Sequence, residues 1–258
     1  MPREKESREQ GVLQLPPDLG LRGHKALPEP GTPKPIVLNV GITGHRAAVL
    51  TAPLVRTLRP VVYTVFRQLR EATLKIRDSE DEFCSSTEAR LLLHTPLAAG
   101  ADQIAAMCAR SSGYFVRALL PFEPTEYRKD FALGEELDNF EQALGAADEI
   151  VALPGRRSDL EGAYVLVGES LVQMADILIA IWDGEEGRGL GGTAHVVELA
   201  LQSSVPVIHI DIDRGSDQVR MRALIDPAAP FHVSMGDEDA YSELLRSALK
   251  LRSAAALP

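Results

Sequence analysis

Gly189-Leu-Gly-Gly-Thr193 sets backbone without side chains beside a hydroxyl, directly ahead of the helix-like run Ala194-His-Val-Val-Glu-Leu-Ala-Leu-Gln202. Such a junction offers an anion amides that can come close, and the unpaired N–H groups and partial positive charge of a helix start. The chemistry to expect is the holding of a phosphate. Upstream, Ile177 to Trp182 is an unbroken apolar run rich in β-branched residues, which reads as a strand buried on both faces. Asp183-Gly184 closes it. Strand, glycine-bearing loop and helix, with Thr193 near the N-cap, make a cradle from Asp183, Gly184, Gly191, Gly192 and Thr193.

Two further segments have the same character. Gly41-Ile-Thr-Gly-His-Arg46 follows a short apolar strand, Ile36 to Val40. Gly41 and Gly44 permit tight turns, Thr43 offers a hydroxyl, and His45 and Arg46 offer donors. The G-x-G-x-x-G spacing of a dinucleotide site is missing. Pro96-Leu-Ala-Ala-Gly-Ala-Asp102 follows a strand at Leu91 to His94. Gly100 ends that loop, and Asp102 either caps its helix, the commoner role, or meets a ribose hydroxyl. After a strand at Tyr114 to Leu120 come Pro121-Phe122 and Tyr127, whose rings either stack on a base or plug the sheet edge. Arg128 and Lys129 are donors a phosphate could use. His195, in the first turn of its helix, either touches phosphate or faces solvent.

The elements that must position these residues alternate. Strands at 36–40, 91–94, 114–120, 149–153, 177–182 and 206–210 are separated by helical patterns. One stripe, Leu54, Leu58, Val61, Val62, Val65, Phe66 and Leu69, follows helical spacing, with Thr51 as cap and Pro60 expected to kink or restart the helix. An amphipathic helix is expected over Asp239 to Arg252, and Trp182 reads as core packing near the pocket rather than as a base platform. Residues 77–89 read as a polar loop and 213–238 as irregular. The fold class is α/β: a Rossmann-like three-layer sandwich with a mostly parallel sheet of about six strands. The loops after Val40, Thr95 and Trp182 then share the edge where open α/β sheets bind ligands. Residues 1–34, rich in charge, Pro and Gly, read as a flexible arm, and 35–258 as a single domain.

Composition narrows the partners. Net charge is −10, from 27 basic and 37 acidic residues. With no basic patch, that argues against non-specific binding to nucleic acid or an anionic membrane. Cys84 and Cys108 are too few for a metal site, and no metal is expected. No apolar run is long enough to span a bilayer, and the first ten residues lack the apolar segment of a secretory signal. A cytoplasmic location is expected.

Together, Gly41 to Arg46, Ala99-Gly-Ala-Asp102, Leu120-Pro-Phe122 with Tyr127 and Asp130-Phe131, and Ala175 to Gly184 with Gly191-Gly-Thr193 resemble the SLOG superfamily, over roughly residues 36–212. These Rossmann-like domains include the lonely-guy phosphoribohydrolases, the DNA-processing protein DprA and nucleotide-sensing domains of bacterial antiviral systems. The resemblance implies that Gly41, Thr43, Gly44, Arg46, Gly100, Asp102, Gly191, Gly192 and Thr193 surround a nucleotide. It implies no fixed cofactor. The phosphoribohydrolases carry Pro-Gly-Gly-x-Gly-Thr followed closely by paired glutamates. Here the proline is absent and Glu198 is displaced from that spacing.

Two functions are therefore expected. In the first, the chain senses a nucleotide-derived signal, a cyclic nucleotide or ADP-ribose derivative. It would act in bacterial antiviral defence, as a homo-oligomer, through a fused or separate effector. In the alternative it cleaves the N-glycosidic bond of a nucleoside monophosphate. Asp102, Asp183 or Glu198 would then stabilise the oxocarbenium-like transition state, with Arg46 or Arg128 on the phosphate. A blander reading is an assembly domain with a vestigial pocket.

Overall fold

A computed structural model describes residues 36–78, 89–185, 189–224 and 237–255, all inside one unit that runs from 33 to 258. The expected arm at 1–34, most of the polar loop at 77–89, Cys84 and Gly187 lie outside the described residues. Seven strands form one sheet: β1 (Ile36–Gly44), β2 (Ala89–Thr95), β3 (Phe115–Leu120), β4 (Glu149–Ala152), β5 (Ile177–Trp182), β6 (Val207–Asp213) and β7 (Gln218–Leu224). Their order is β4-β3-β2-β1-β5-β6-β7, parallel except for β7, which pairs antiparallel with β6.

The seventh strand corrects the expectation of about six and of an irregular stretch from 213. Gln218-Val-Arg-Met-Arg-Ala-Leu224 alternates polar and apolar residues because it is an edge strand with one solvated side. A turn at Arg214 to Asp217 joins it to β6. Central strands show the opposite pattern. In β5, Ile177, Ile179 and Ile181 enter one core while Leu178 and Ala180 enter the other, so every position up to Ile181 is buried and Trp182, at the strand's end, is half-buried.

The first core lies under α1 (Ala52–Asp78), α2 (Ala101–Ser111), α3 (Pro124–Tyr127), α4 (Glu135–Ala146) and α7 (Glu238–Ala255). The second lies under α5 (Leu160–Met174) and α6 (Thr193–Gln202). Leu54, Leu58, Val62, Val65, Phe66 and Leu69 are all buried along α1, each worth roughly 1.5–3 kcal/mol of transfer free energy. Thr51 caps that helix, its hydroxyl accepting from the Leu54 N–H at 3.3 Å. Pro60 neither ends nor restarts it. The proline is on the exposed side, where water can serve the carbonyl left without a donor. Tyr241, Leu244, Leu245 and Ala248 bury the expected stripe of α7. Cys108 is packed, and burial pushes its thiol up to about 11, which leaves it inert.

From β1 the chain proceeds outward through β2 and β3 to β4, then crosses back by α5 to β5 on the other side of β1. The C-terminal ends of β1 and β5 are thus the point where strand order reverses, the usual place for a ligand crevice in such sheets.

Candidate functional site

Two of the three expected loops are joined by their own backbones. The His45 N–H donates to the Ile181 carbonyl at 3.0 Å, tying the end of β1 to β5. The Ala47 N–H donates to the Ala99 carbonyl at 3.0 Å, and the Ala101 N–H to the His45 carbonyl at 3.1 Å. This antiparallel bridge between Arg46 and Gly100 explains their glycines. A Cβ on Gly44 would stand 2.5 Å from the Ala101 Cβ and 2.7 Å from the Ile181 carbonyl oxygen. Gly100 has φ +107°, and a Cβ there would lie 2.5 Å from the Ala47 nitrogen. Both glycines let chain meet chain. By sequence, Gly44 permits a tight turn, and the family resemblance sets both glycines around a nucleotide.

The third loop behaves differently. Gly192 is the N-cap of α6 and makes no side-chain cap bond; α6 begins at Thr193. The Val196 N–H reaches the Gly192 carbonyl, while the first-turn amides of Thr193, Ala194 and His195 have no such partner among the described residues. His195 accepts the Gly191 N–H on Nδ1 at 3.1 Å, so its ring braces the loop.

A cleft opens at this junction in two compartments. The inner one measures 180 Å³ and includes Arg46, Asp102, Tyr127 and Tyr164 in its wall. The outer one measures 870 Å³ and includes Trp182, Asp183, Asp211 and Arg214. His45, Gly192 and Thr193 belong to both walls.

Inside, Asp102 is buried, and burial pushes its carboxyl up to about 7 against the pull of Arg46 and of the Ala98 N–H, which donates to it at 3.1 Å. Asp102 therefore ties down the turn ahead of α2; the N-cap is Gly100. Tyr127 is fully buried, and its hydroxyl has no hydrogen-bond partner among the described residues. Tyr164 donates its hydroxyl to Asp130, which Arg157 also clamps. The Arg46 guanidinium lies 5.6 Å from the centre of the Tyr164 ring. In the outer compartment Asp183 meets His45 at 3.0 Å and pairs with Arg214. Burial alone would raise the Asp183 carboxyl. The Glu185 N–H, His45 and Arg214 outweigh it and hold the group below the usual carboxylate range.

Of the residues singled out in the sequence, Thr43, Gly44, His45, Arg46, Asp102, Tyr127, Gly191, Gly192 and Thr193 gather around the inner compartment, and Asp183 stands in the outer wall. Others lie elsewhere. Gly41 is inside β1, where a Cβ would stand 3.2 Å from the Ala175 Cβ and 3.3 Å from the Leu171 Cγ, so its missing side chain makes room for both. Gly100 faces a groove between α1 and α2. Pro121 and Gly184 line neither compartment. Phe122 is buried, with ring centroids 6.4 Å from both Tyr127 and Tyr164 and Arg157 over its face, so these aromatics plug the sheet edge. Arg128 pairs with Glu141 on the surface, and Glu198 bonds Gln202 on the exposed side of α6. Tyr164, Arg214 and Asp211 escaped the sequence reading. Tyr164 is the one aromatic residue of α5, a weak signal; Arg214 sits in the turn before the unexpected strand.

No helix among the described residues is long and apolar enough to cross a membrane. Among them, too, no cluster of His, Cys, Asp or Glu is arranged to hold a metal ion. No family model matches the sequence, and no curated protein does. Solved structures do show a likeness. DNA processing protein A from Streptococcus pneumoniae is 16% identical, with 70% of this chain and 53% of that one covered and a TM-score of 0.44. The same protein from Helicobacter pylori, described for its single-stranded DNA binding mode, is 16% identical, with coverages of 68% and 66% and a TM-score of 0.41. The molybdenum cofactor carrier protein of Chlamydomonas reinhardtii is 17% identical, with coverages of 83% and 99% and a TM-score of 0.42. This chain thus spans about half of the first of these proteins.

Proposed function

We propose that this chain is a SLOG-type domain that binds a nucleotide in the cleft between β1 and β5, with a phosphate at the start of α6. The observation that carries the reading is the pairing of two unmet needs in the inner wall: the open amide of Thr193 at the start of α6, and the buried Tyr127 hydroxyl, which has no partner among the described residues. A buried donor left alone costs roughly 1–3 kcal/mol, which a guest oxygen can recover. Arg46 supplies the countercharge. Binding without turnover is the favoured mode, because two of the three carboxylates named for hydrolysis are poorly disposed for it. Asp183 is engaged by His45 and Arg214, and Glu198 lies outside both compartments. The domain would then act as a sensor, coupled as a homo-oligomer to an effector, in the manner of antiviral nucleotide sensors.

A thermal-shift panel of mononucleotides, cyclic nucleotides, ADP-ribose and a short single-stranded oligodeoxynucleotide tests this, since a ligand of the native state raises stability. Saturable stabilisation by a nucleotide, with the compound recovered intact, is expected. Stabilisation by the oligonucleotide alone would replace the reading with strand binding, which the net charge of −10 opposes. The hydrolase reading keeps one supporting observation: Asp102, with a carboxyl near 7, is suited to proton transfer at neutral pH. Free base released from a nucleotide and lost in Asp102→Asn would favour it.

A further inference from the structure

The inner compartment is too small for a whole nucleotide. Its 180 Å³ falls below the roughly 300–1,000 Å³ of small-molecule sites, whereas the outer 870 Å³ falls within that range. A phosphate at Gly192 and Thr193 touches the wall of both, so the rest of the ligand has room on the outer side. We propose that the outer compartment is a base subsite: Trp182 receives an amino-bearing base, and the surrounding carboxylates turn polyphosphate chains away. This rests on the nucleotide reading above.

Trp182 is held ready for that role. Its indole N–H donates to the Glu185 carbonyl at 3.0 Å. Its ring lies 5.3 Å from that of His209, which in turn contacts the Trp182 carbonyl at 3.0 Å. A ring fixed beforehand loses little freedom when a base stacks on it. Charge sets the selection. Among the described residues the wall carries four carboxylates, Asp183, Glu185, Asp211 and Asp213, against two guanidinium groups, Arg214 and Arg220. Asp183 is matched by Arg214 and Asp211 by Arg222 outside the wall, while Asp213 accepts from the Gly215 N–H and the Ser216 hydroxyl and keeps its charge. Asp211 and Asp213, two apart on β6, fall on one side of the strand. Such a rim accepts hydrogen bonds from exocyclic amines and sugar hydroxyls. It repels second and third phosphates.

Trp182 is the only tryptophan of the chain, so its fluorescence reports on this compartment alone. The full chain is titrated with adenosine monophosphate, inosine monophosphate, adenosine triphosphate and inorganic phosphate, and thermal shift is read alongside. Adenosine monophosphate should quench saturably. Inosine monophosphate, which has a carbonyl in place of the amine, and adenosine triphosphate should each bind about tenfold more weakly. Inorganic phosphate should raise the melting temperature and leave the fluorescence unchanged. Trp182→Leu should weaken the adenylate and not the phosphate, and Glu185→Gln with Asp213→Asn should close the gap to the triphosphate. Adenylate that stabilises the chain with unaltered fluorescence, or binds Trp182→Leu as tightly as the parent, overturns the base subsite and leaves the nucleotide reading standing. If neither phosphate nor any nucleotide stabilises the chain, both fall.

Discussion

The two compartments share His45, Gly192 and Thr193 yet hold their carboxylates in opposite states. Asp102, inside, is buried and displaced upward to about 7. Asp183, outside, is displaced downward because a backbone amide, His45 and Arg214 outweigh its burial. The same side chain is a proton store in one place and a fixed anion in the other. The difference lies in how many partners reach it. Asp102 has one amide and the pull of Arg46 to set against near-complete burial.

The largest test of that contrast is pH. A carboxyl whose folded pKa exceeds its unfolded value contributes stability that is full below the unfolded value and lost as pH rises through the folded one. For Asp102 the window runs from the ordinary aspartate value of 3.8 to about 7. Denaturant unfolding should show up to about 4 kcal/mol lost across it, at 1.36 kcal/mol per pKa unit. Asp102→Asn should flatten that slope. The affinity for a cyclic mononucleotide, whose phosphodiester does not titrate here, should rise as pH falls from 8 to 6 in the parent and stay level in the variant; a level parent would break the contrast.

Next in size is the backbone. Gly100→Ala forces a side chain into positive φ and against the Ala47 amide, and should cost about 3 kcal/mol or more in chemical denaturation. Gly192→Ala has φ −80° and only the Gly189 carbonyl within 4 Å, at 3.5 Å, so it should change stability by less than about 0.5 kcal/mol while weakening phosphate. Equal losses in the two variants would erase the distinction between a glycine that meets the chain and one that meets the guest.

Smaller still, Tyr127→Phe removes a buried hydroxyl without a partner. The free protein should gain roughly 1 kcal/mol and lose part of its stabilisation by nucleotide, both read by thermal shift. Arg214→Ala should be the mildest. That side chain is 49% exposed, and exposed ion pairs are worth about 0–1 kcal/mol. Its effect should fade at high salt, unlike that of Asp102.

Much of this was legible beforehand, for identifiable reasons. The apolar run of β5 betrayed a strand buried on both sides, and the α1 stripe from Leu54 to Leu69 betrayed a helix on a sheet. The loops at 41–46, 96–102 and 189–193 drew attention through small residues. Other features were harder to read. β7 alternates over only seven residues directly after a turn, and Tyr164 has nothing in its neighbours to say that Gly191 packs against it, where an added Cβ would stand 2.9 Å from the Tyr164 Cβ. Phe122 has the ring of a base platform, and only packing against Tyr127, Tyr164 and Arg157 shows it closed off.

The order of residues alone determined the layers and the edge where the small-residue loops lie, because hydrophobic period and small-residue junctions are local properties of a chain. Tertiary structure alone decided which glycines serve the fold and which serve the cleft, and which carboxylate keeps its proton. Those depend on distances and burial between segments that lie far apart in sequence, as Gly44 and Ile181 do, and no local pattern records them.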